Sequence, residues 1–254
     1  MSDLAAAIEK VAAANPLLVA CDYDGTLAAI VDDPAAAAPH PAAMHALRSL
    51  APLDGVHVAI VSGRMQRDLV TLTGAPDGVT LIGSHGAETT SGPVVGPHAR
   101  RSLDLVTDAF GELAARYPGS RVETKPAGVA FHYRTVAEDD RAAASAAAID
   151  IASRSDELRV MHGKMVVELA ASPSHKGDAV SRLRTKTGAN AVVFIGDDVT
   201  DEDAFRALVS GDIGIKVGPG PTSALHRIDD QDAVASVLDA LVTLRTPPPA
   251  SDQA

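Results

Sequence analysis

The chain has no tryptophan, and aromatic residues are only 3% of its 254 positions. Its core must therefore be built from Ala, Val, Leu and Ile. Cysteine occurs once, at Cys21, so no intrachain disulfide can form. Cys21 lies in an apolar run and reads as a small buried hydrophobe. No stretch approaches the ~18 apolar residues of a membrane helix. The first residues carry Asp3, Glu9 and Lys10 within an Ala-rich helical pattern, without the uninterrupted apolar centre of a signal peptide. The expected compartment is the cytoplasm. Basic residues are few: 22 Lys and Arg stand against 33 Asp and Glu, a net charge of −11. That balance argues against nucleic acid or an anionic membrane as partner, since both need a basic footprint. It fits solubility, and it fits a site that collects a cation.

What is present centres on Cys21-Asp22-Tyr23-Asp24-Gly25-Thr26-Leu27. The apolar Leu17–Cys21 run reads as a buried parallel strand that ends in carboxylates. Further apolar strands are expected at 56–61, ending in Ser62-Gly63-Arg64, at 79–82, leading into Gly83-Ser84-His85-Gly86, and at 191–195, ending in Gly196-Asp197-Asp198. Another follows at 212–217. Helices are expected at 3–14, 41–51, 65–73, 174–187 with Ser174 as N-cap, 200–209 with a Thr200/Asp203 capping box, and 230–245. Alternating strands and helices predict an α/β fold, a doubly wound parallel sheet of Rossmann-like kind. The tail from Thr246 onward, rich in Pro, reads as disordered.

The pattern changes between residues 97 and 172. A helix at 99–116 precedes strands at 121–125 and 129–134, joined by Pro126-Ala127-Gly128, a hairpin signal. A helix at 136–153 then precedes strands at 158–162 and 164–170, with His162-Gly163 at their turn. This is a separate, smaller α+β unit. Turn residues cluster at Gly92–Pro97 and Ser172-Pro173, so the expected domains are 1–96 with 173–254, and an inserted 97–172.

Strand ends lie side by side in such a sheet, so residues distant in sequence converge there. Asp22, Asp24, Ser62, Lys176 and Asp197 then form the parts of a phosphoryl-transfer site. Such a site must neutralise charge spread over the phosphoryl oxygens. Asp22 and Asp197, with a main-chain carbonyl of the Asp22–Asp24 turn, suit Mg²⁺, which takes about six oxygen ligands. Asp22 is the candidate nucleophile, and Asp24 the acid and then base. Ser62 and Lys176 would bind phosphoryl oxygens. Asp198 and Asp201 would support the ligands from behind. Alone, each piece has another reading. Asp-x-Asp-Gly-Thr also fits a turn or a calcium loop, and Glu202 and Asp203 suit a helix N-terminus. The remaining histidines, His40, His45, His57, His98, His175 and His226, show no metal-ligand spacing.

Asp22-Tyr-Asp24-Gly-Thr, Ser62, Lys176 and Gly196-Asp-Asp-Val-Thr-Asp201 resemble the four motifs of the haloacid-dehalogenase superfamily. The wider strings Ile30-Val-Asp-Asp-Pro34, Val61-Ser-Gly-Arg64, Gly83-Ser-His-Gly-Ala-Glu88, Phe131-His-Tyr-Arg134, Gly163-Lys-Met-Val-Val-Glu168 and Gly196–Asp203 resemble the trehalose-6-phosphate phosphatase family, across nearly all of 17–240. The resemblance implies a Mg²⁺-dependent core with an α/β cap, acting on trehalose 6-phosphate through an aspartyl-phosphate. It implies substrate contacts from Arg64, His85, Lys125, His132, Arg134, Lys164 and Glu168, with His85 and Glu88 at the core–cap junction. The string Lys125-Pro-Ala-Gly128 departs from the Lys-Gly-type turn of the family pattern.

Strand alternation places Val166 and Glu168 on one face with Lys164, and His132 with Arg134, opposite Phe131, Val167 and Leu169. Each hairpin would present one apolar and one polar face. The same core motifs serve sucrose-phosphate and mannosyl-phosphoglycerate phosphatases and phosphosugar mutases, and an inactive regulator that binds a sugar phosphate is a further alternative. The sequence is silent on oligomeric state, with which a monomer is compatible.

Overall fold

A computed structural model describes residues 2–88, 95, 97–155, 157–171 and 175–246. The expected N-cap Ser174, the tail beyond Thr246 and most of the expected boundary residues lie outside the described residues. The chain divides into two compact units, Met1–Gly86 with Ser174–Ala254, and Ala87–Pro173.

In the first unit the strands are β1 (Leu17–Cys21), β2 (Val56–Val61), β3 (Val79–Ile82), β8 (Ala191–Gly196), β9 (Ile213–Val217) and β10 (His226–Ile228). They form one parallel sheet in the order β10-β9-β8-β1-β2-β3. The chain thus winds outward from β1 in one direction, and after the second unit in the other. The β1/β8 border is the switch point of the sheet, where α/β folds place their chemistry. Buried continuous apolar runs explain the central strands. Leu17, Val19 and Cys21 pack into one cluster with α1 (Ser2–Ala12), α2 (Pro41–Leu50), Leu69 of α3 (Gln66–Thr73) and α8 (Gln231–Arg245). Leu18 and Ala20 pack into another with α6 (Lys176–Thr187) and α7 (Glu202–Ala207). Cys21 is buried, and burial pushes its thiol far above the ordinary range. The short strand β10 has no counterpart in the sequence expectations.

Two helix starts differ from expectation. The cap of α6 is His175, whose ring accepts from the Asp178 N–H while the Asp178 carboxylate accepts from the His175 N–H, a reciprocal capping box. At α7 the N-cap is Asp201 rather than Thr200. The helix begins at Glu202 after Asp201, which makes no side-chain cap bond because its carboxylate is used elsewhere.

In the second unit, β4 (Arg121–Lys125), β5 (Gly128–His132), β6 (Arg159–Gly163) and β7 (Val166–Ala170) form an antiparallel sheet in the order β4-β5-β7-β6. Val129, Phe131, Val167 and Leu169 pack with Leu103, Val106 and Phe110 of α4 (Pro97–Arg116) and Ala144, Ala148 and Ala152 of α5 (Glu138–Ala152). The alternation expected for the apolar face holds. Two polar positions do not follow it. β5 stops at His132, so Arg134 lies in the following turn. The β6–β7 turn is at Lys164-Met165 rather than His162-Gly163, with Met165 in the left-handed region at φ 64°. Lys164 and Arg134 are therefore exposed turn residues, and the Arg134 guanidinium points to the Lys164 carbonyl at 3.4 Å.

Candidate active site

The site starts where β1 runs out. The Asp22 N–H continues the β1–β8 ladder by donating to the Ile195 carbonyl at 2.9 Å. The chain then turns tightly, with the Leu27 and Ala28 N–H groups both on the Tyr23 carbonyl. The Tyr23 ring is buried, and its hydroxyl donates to the Ala37 carbonyl at 2.7 Å. Gly25 takes φ 85°, and a Cβ there would come within 2.0 Å of Asp197 Oδ2. Only glycine lets the β1 loop approach the β8 loop this closely.

Asp22 is 4% and Lys176 2% exposed, and Lys176 Nζ lies 2.7 Å from Asp22 Oδ1 and 2.8 Å from Asp201 Oδ1. The second Asp201 oxygen accepts the Asp197 N–H at 3.0 Å and the Asp198 N–H at 2.9 Å. Asp201 is thus an organiser with both oxygens engaged. Asp22, Asp197 and Asp201 each bring an oxygen within 4.8 Å of the others. Asp197 Oδ1 is buried with no hydrogen-bond partner. A bare carboxylate oxygen among other carboxylates is the donor set of a hard divalent cation, and Mg²⁺ fits it. Burial foremost pushes the Asp22 carboxyl well above its ordinary range; Lys176 opposes this, and Asp201 and Asp197 add to it. Asp197 is raised to about 6 by burial and then by the Asp201 charge. Burial pulls the Lys176 ammonium down, but Asp201 and Asp22 outweigh it and leave it above its usual range.

Asp24 faces Arg64. Arg64 Nε donates to Asp24 Oδ2 at 2.7 Å and its Nη2 to Oδ1 at 2.6 Å, a bidentate pair. Arg64 Nη1 donates to the Pro34 carbonyl at 2.7 Å, and the guanidinium lies 5.3 Å from the Tyr23 ring centroid. Ser62 is buried, and its Oγ accepts the Arg64 N–H at 3.1 Å. Ser84 and His85 both adopt left-handed backbone, at φ 48° and 54°, which non-glycine residues seldom do. Hydrogen bonds hold them there: Ser84 N–H to the Arg64 carbonyl at 2.8 Å and His85 N–H to the Ser62 carbonyl at 2.9 Å. The His85 ring lies against Gly63, where a Cβ would come within 2.6 Å of it. The Asp198 side chain is exposed.

In the second unit, Lys125 pairs with Glu168 at 2.7 Å and His132 with Glu123 at 2.8 Å, on the polar face of the sheet. Glu88 is buried.

Three residues at the core site carried no functional signal in the sequence. Lys216, buried in β9, donates to the Asp197 carbonyl. Gln231 Nε2 donates to the Gly25 carbonyl at 2.6 Å. Glu202, expected only to decorate a helix start, is buried and accepts the Ser223 N–H at 2.7 Å. A lysine inside an apolar strand is the one cue that could have been followed.

The family model of trehalose-phosphatase matches residues 20–232. The chain belongs to the trehalose-phosphatase family. It is 39% identical over 233 residues to the trehalose-phosphate phosphatase of Mycobacterium avium (strain 104), covering 87% of this chain and 57% of that one. It therefore spans a little over half the length of that trehalose-phosphatase relative. Among solved structures, the C-terminal domain of C. albicans trehalose-6-phosphate phosphatase superposes with a TM-score of 0.78 at 26% identity, covering 94% of this chain and 96% of that one. A trehalose-6-phosphate phosphatase from Aspergillus fumigatus gives a TM-score of 0.67 at 28% identity, covering 94% and 97%. The parallel sheet and the separate antiparallel unit are those of the haloacid-dehalogenase fold of this family.

Proposed function

We propose that this chain hydrolyses trehalose 6-phosphate to trehalose and phosphate, with Asp22 as nucleophile. The observation that carries the reading is the buried Asp22–Lys176–Asp201 chain beside the bare Asp197 oxygen, at the switch point of the sheet. Membership of the trehalose-phosphatase family supports the substrate.

Asp22 attacks phosphorus, the bond from phosphorus to the sugar oxygen breaks, and Asp24 gives that oxygen its proton. Asp24 then takes a proton from the water that attacks the aspartyl-phosphate, and phosphate leaves. The bidentate Arg64 pair fixes the position of the Asp24 carboxyl for both steps. Lys176 and the Ser62 hydroxyl bind phosphoryl oxygens, and Lys176 also holds Asp22 in line. Asp22, Asp197 and the main-chain carbonyl of Asp24 would hold Mg²⁺, which screens phosphoryl charge when bound. Asp201, and through its N–H Asp198, fix the ligand loop.

The first unit is the catalytic core and the second the cap. The polar face carrying Lys125, Glu168, His132 and Glu123, with the turn residues Arg134 and Lys164, would read the sugar; His85 and Arg64 would border the phosphate. The single thiol suits the cytoplasm as the place of action. Phosphate release measured over a panel of sugar phosphates, with Mg²⁺ and with EDTA, tests the reading. Preference for trehalose 6-phosphate with full loss in EDTA is expected. Activity only on another sugar phosphate, or return of the phosphoryl group to a sugar, would replace the substrate or make the chain a mutase.

A further inference from the structure

All five residues of β9, Ile-Gly-Ile-Lys-Val, are buried. Lys216 is 4% exposed, in a strand whose other members are apolar or glycine. An ammonium placed there loses its hydration and is retained only where something compensates it. The β8–β9 register ends with Gly196 opposite Lys216, so the side chain reaches the residue that follows β8. There it donates to the main-chain carbonyl of Asp197. On the other side of the same loop, one oxygen of Asp201 accepts the Asp197 and Asp198 N–H groups at 3.0 and 2.9 Å. The peptide between Asp197 and Asp198 is gripped at both ends, its oxygen by Lys216 and its N–H by Asp201. Among the described residues, Asp197 Oδ1 is buried without a hydrogen-bond partner, and the carboxylate is packed on Gly25. Its direction is set by the main chain that carries it.

We infer that Lys216 is a positioning residue for the cation site: by holding the Asp197 carbonyl, it fixes the loop from which Asp197 presents its bare oxygen to a divalent ion. The inference rests on the proposed reading of the site only in requiring that a divalent cation binds there. Lys216 is not expected to touch the phosphoryl group, a role given to Lys176.

The test is Mn²⁺ binding to the full chain without substrate, with the free ion counted by electron paramagnetic resonance. Lys216→Met should weaken Mn²⁺ binding by roughly 10-fold or more, the usual effect of removing a group that orients a metal ligand. Lys216→Arg, which restores a cationic donor, should recover most of that loss. A folded Lys216→Met variant that binds Mn²⁺ within about twofold of the native chain, or more tightly, overturns the inference, because a merely structural or repelling lysine behaves so. A second measurement does not depend on the variants. In the metal-free native chain, the Asp197 and Asp198 amides should be protected from hydrogen exchange, and fast exchange there overturns the inference even if Lys216→Met does not fold. A native chain that takes up no Mn²⁺ removes both this inference and the proposed metal. Normal Mn²⁺ uptake without phosphate release would overturn the proposed reaction alone and, with the variant losses above, support the role of Lys216.

Discussion

Lys176 Nζ lies 2.7 Å from Asp22 Oδ1, and both side chains are almost sealed from solvent. One lysine stands between two buried carboxylates, since Asp201 is on its other side at 2.8 Å. Lys176→Met removes the cation between them and leaves Asp22 and Asp201 facing each other. The expected cost is about 3–5 kcal/mol near pH 7.5, as for breaking a buried ion pair. Asp22 already favours its neutral form through burial, so the variant should regain part of its stability as pH falls and that carboxyl takes up a proton. Urea unfolding at pH 7.5 and pH 5 measures both. Equal losses at the two values would mean that the lysine acts by packing alone.

Asp22→Asn preserves shape and keeps an acceptor for Lys176, but an amide cannot form the acyl phosphate. Phosphate release should fall by about 10⁴-fold or more, the scale seen when a nucleophile is removed. Thermal melting should show a folded protein. Turnover at the native level in that variant would end the aspartyl-phosphate mechanism.

Much of this arrangement is legible in the chain because its signals are local. Leu17–Cys21 and Ala191–Gly196 are continuous apolar runs, Val56–Val61 is apolar but for His57, and each is followed at once by the polar residues it positions. The inserted unit shows through its change of period and its Pro-Ala-Gly turn. What escapes notice depends on partners far away. Gln231 reaches Gly25 across 206 positions, and no local pattern signals it. Lys216 stands out as a lysine inside an apolar strand, but its acceptor, a main-chain carbonyl, leaves no mark in the sequence. The expected start of α7 at Thr200 is a sound local expectation, yet the helix begins at Glu202 after Asp201, whose carboxylate is engaged by Lys176. Lys164 falls off its strand because the left-handed Met165 places the β6–β7 turn later than the glycine suggests, and Arg134 falls off because β5 stops at His132.

The sheet of the second unit offers a test of substrate reading. Lys125 and Glu168 pair at 2.7 Å on its polar face. If that face reads the sugar, Glu168→Gln and Lys164→Ala should lower kcat/KM for trehalose 6-phosphate by at least about 10-fold, the scale of one lost polar contact. Turnover of an aryl phosphate, which has no sugar hydroxyls, should change little. Equal losses on both substrates would mean that the face does not discriminate.

Glu123 gives the same unit an acid-range signature. The hydrogen bond with His132, foremost, and the charges of Lys125, His132 and Arg121 hold its carboxyl down to about 2, against burial. A lowered carboxyl contributes stability above its ordinary 4.5 and loses it as pH falls towards about 2. Glu123→Gln should therefore be less stable than the native chain at pH 6 and close to it near pH 2. Unfolding followed by circular dichroism across that range checks the convergence; a constant difference at all pH values would contradict it.

Asp197 should behave in the opposite sense, and the contrast reports on the cation site. Burial and the Asp201 charge raise it from an ordinary 3.8 to about 6. Between those values the folded chain holds a proton that the unfolded chain has released, so stability falls as pH rises through the window. Above it, the charged Asp197 is a constant penalty in the metal-free chain. Asp197→Asn carries no such charge, so in EDTA at pH 7.5 it should be more stable than the native chain by about 1–3 kcal/mol. Near pH 4 the two should melt together. Mg²⁺ should reverse the order at pH 7.5, because the native chain gains binding energy that the variant lacks. Differential scanning calorimetry at pH 4 and 7.5, with EDTA and with Mg²⁺, gives the four comparisons. A variant less stable than the native chain in EDTA at pH 7.5 would show that the Asp197 carboxylate is held by contacts within the fold, and is not kept bare for a cation.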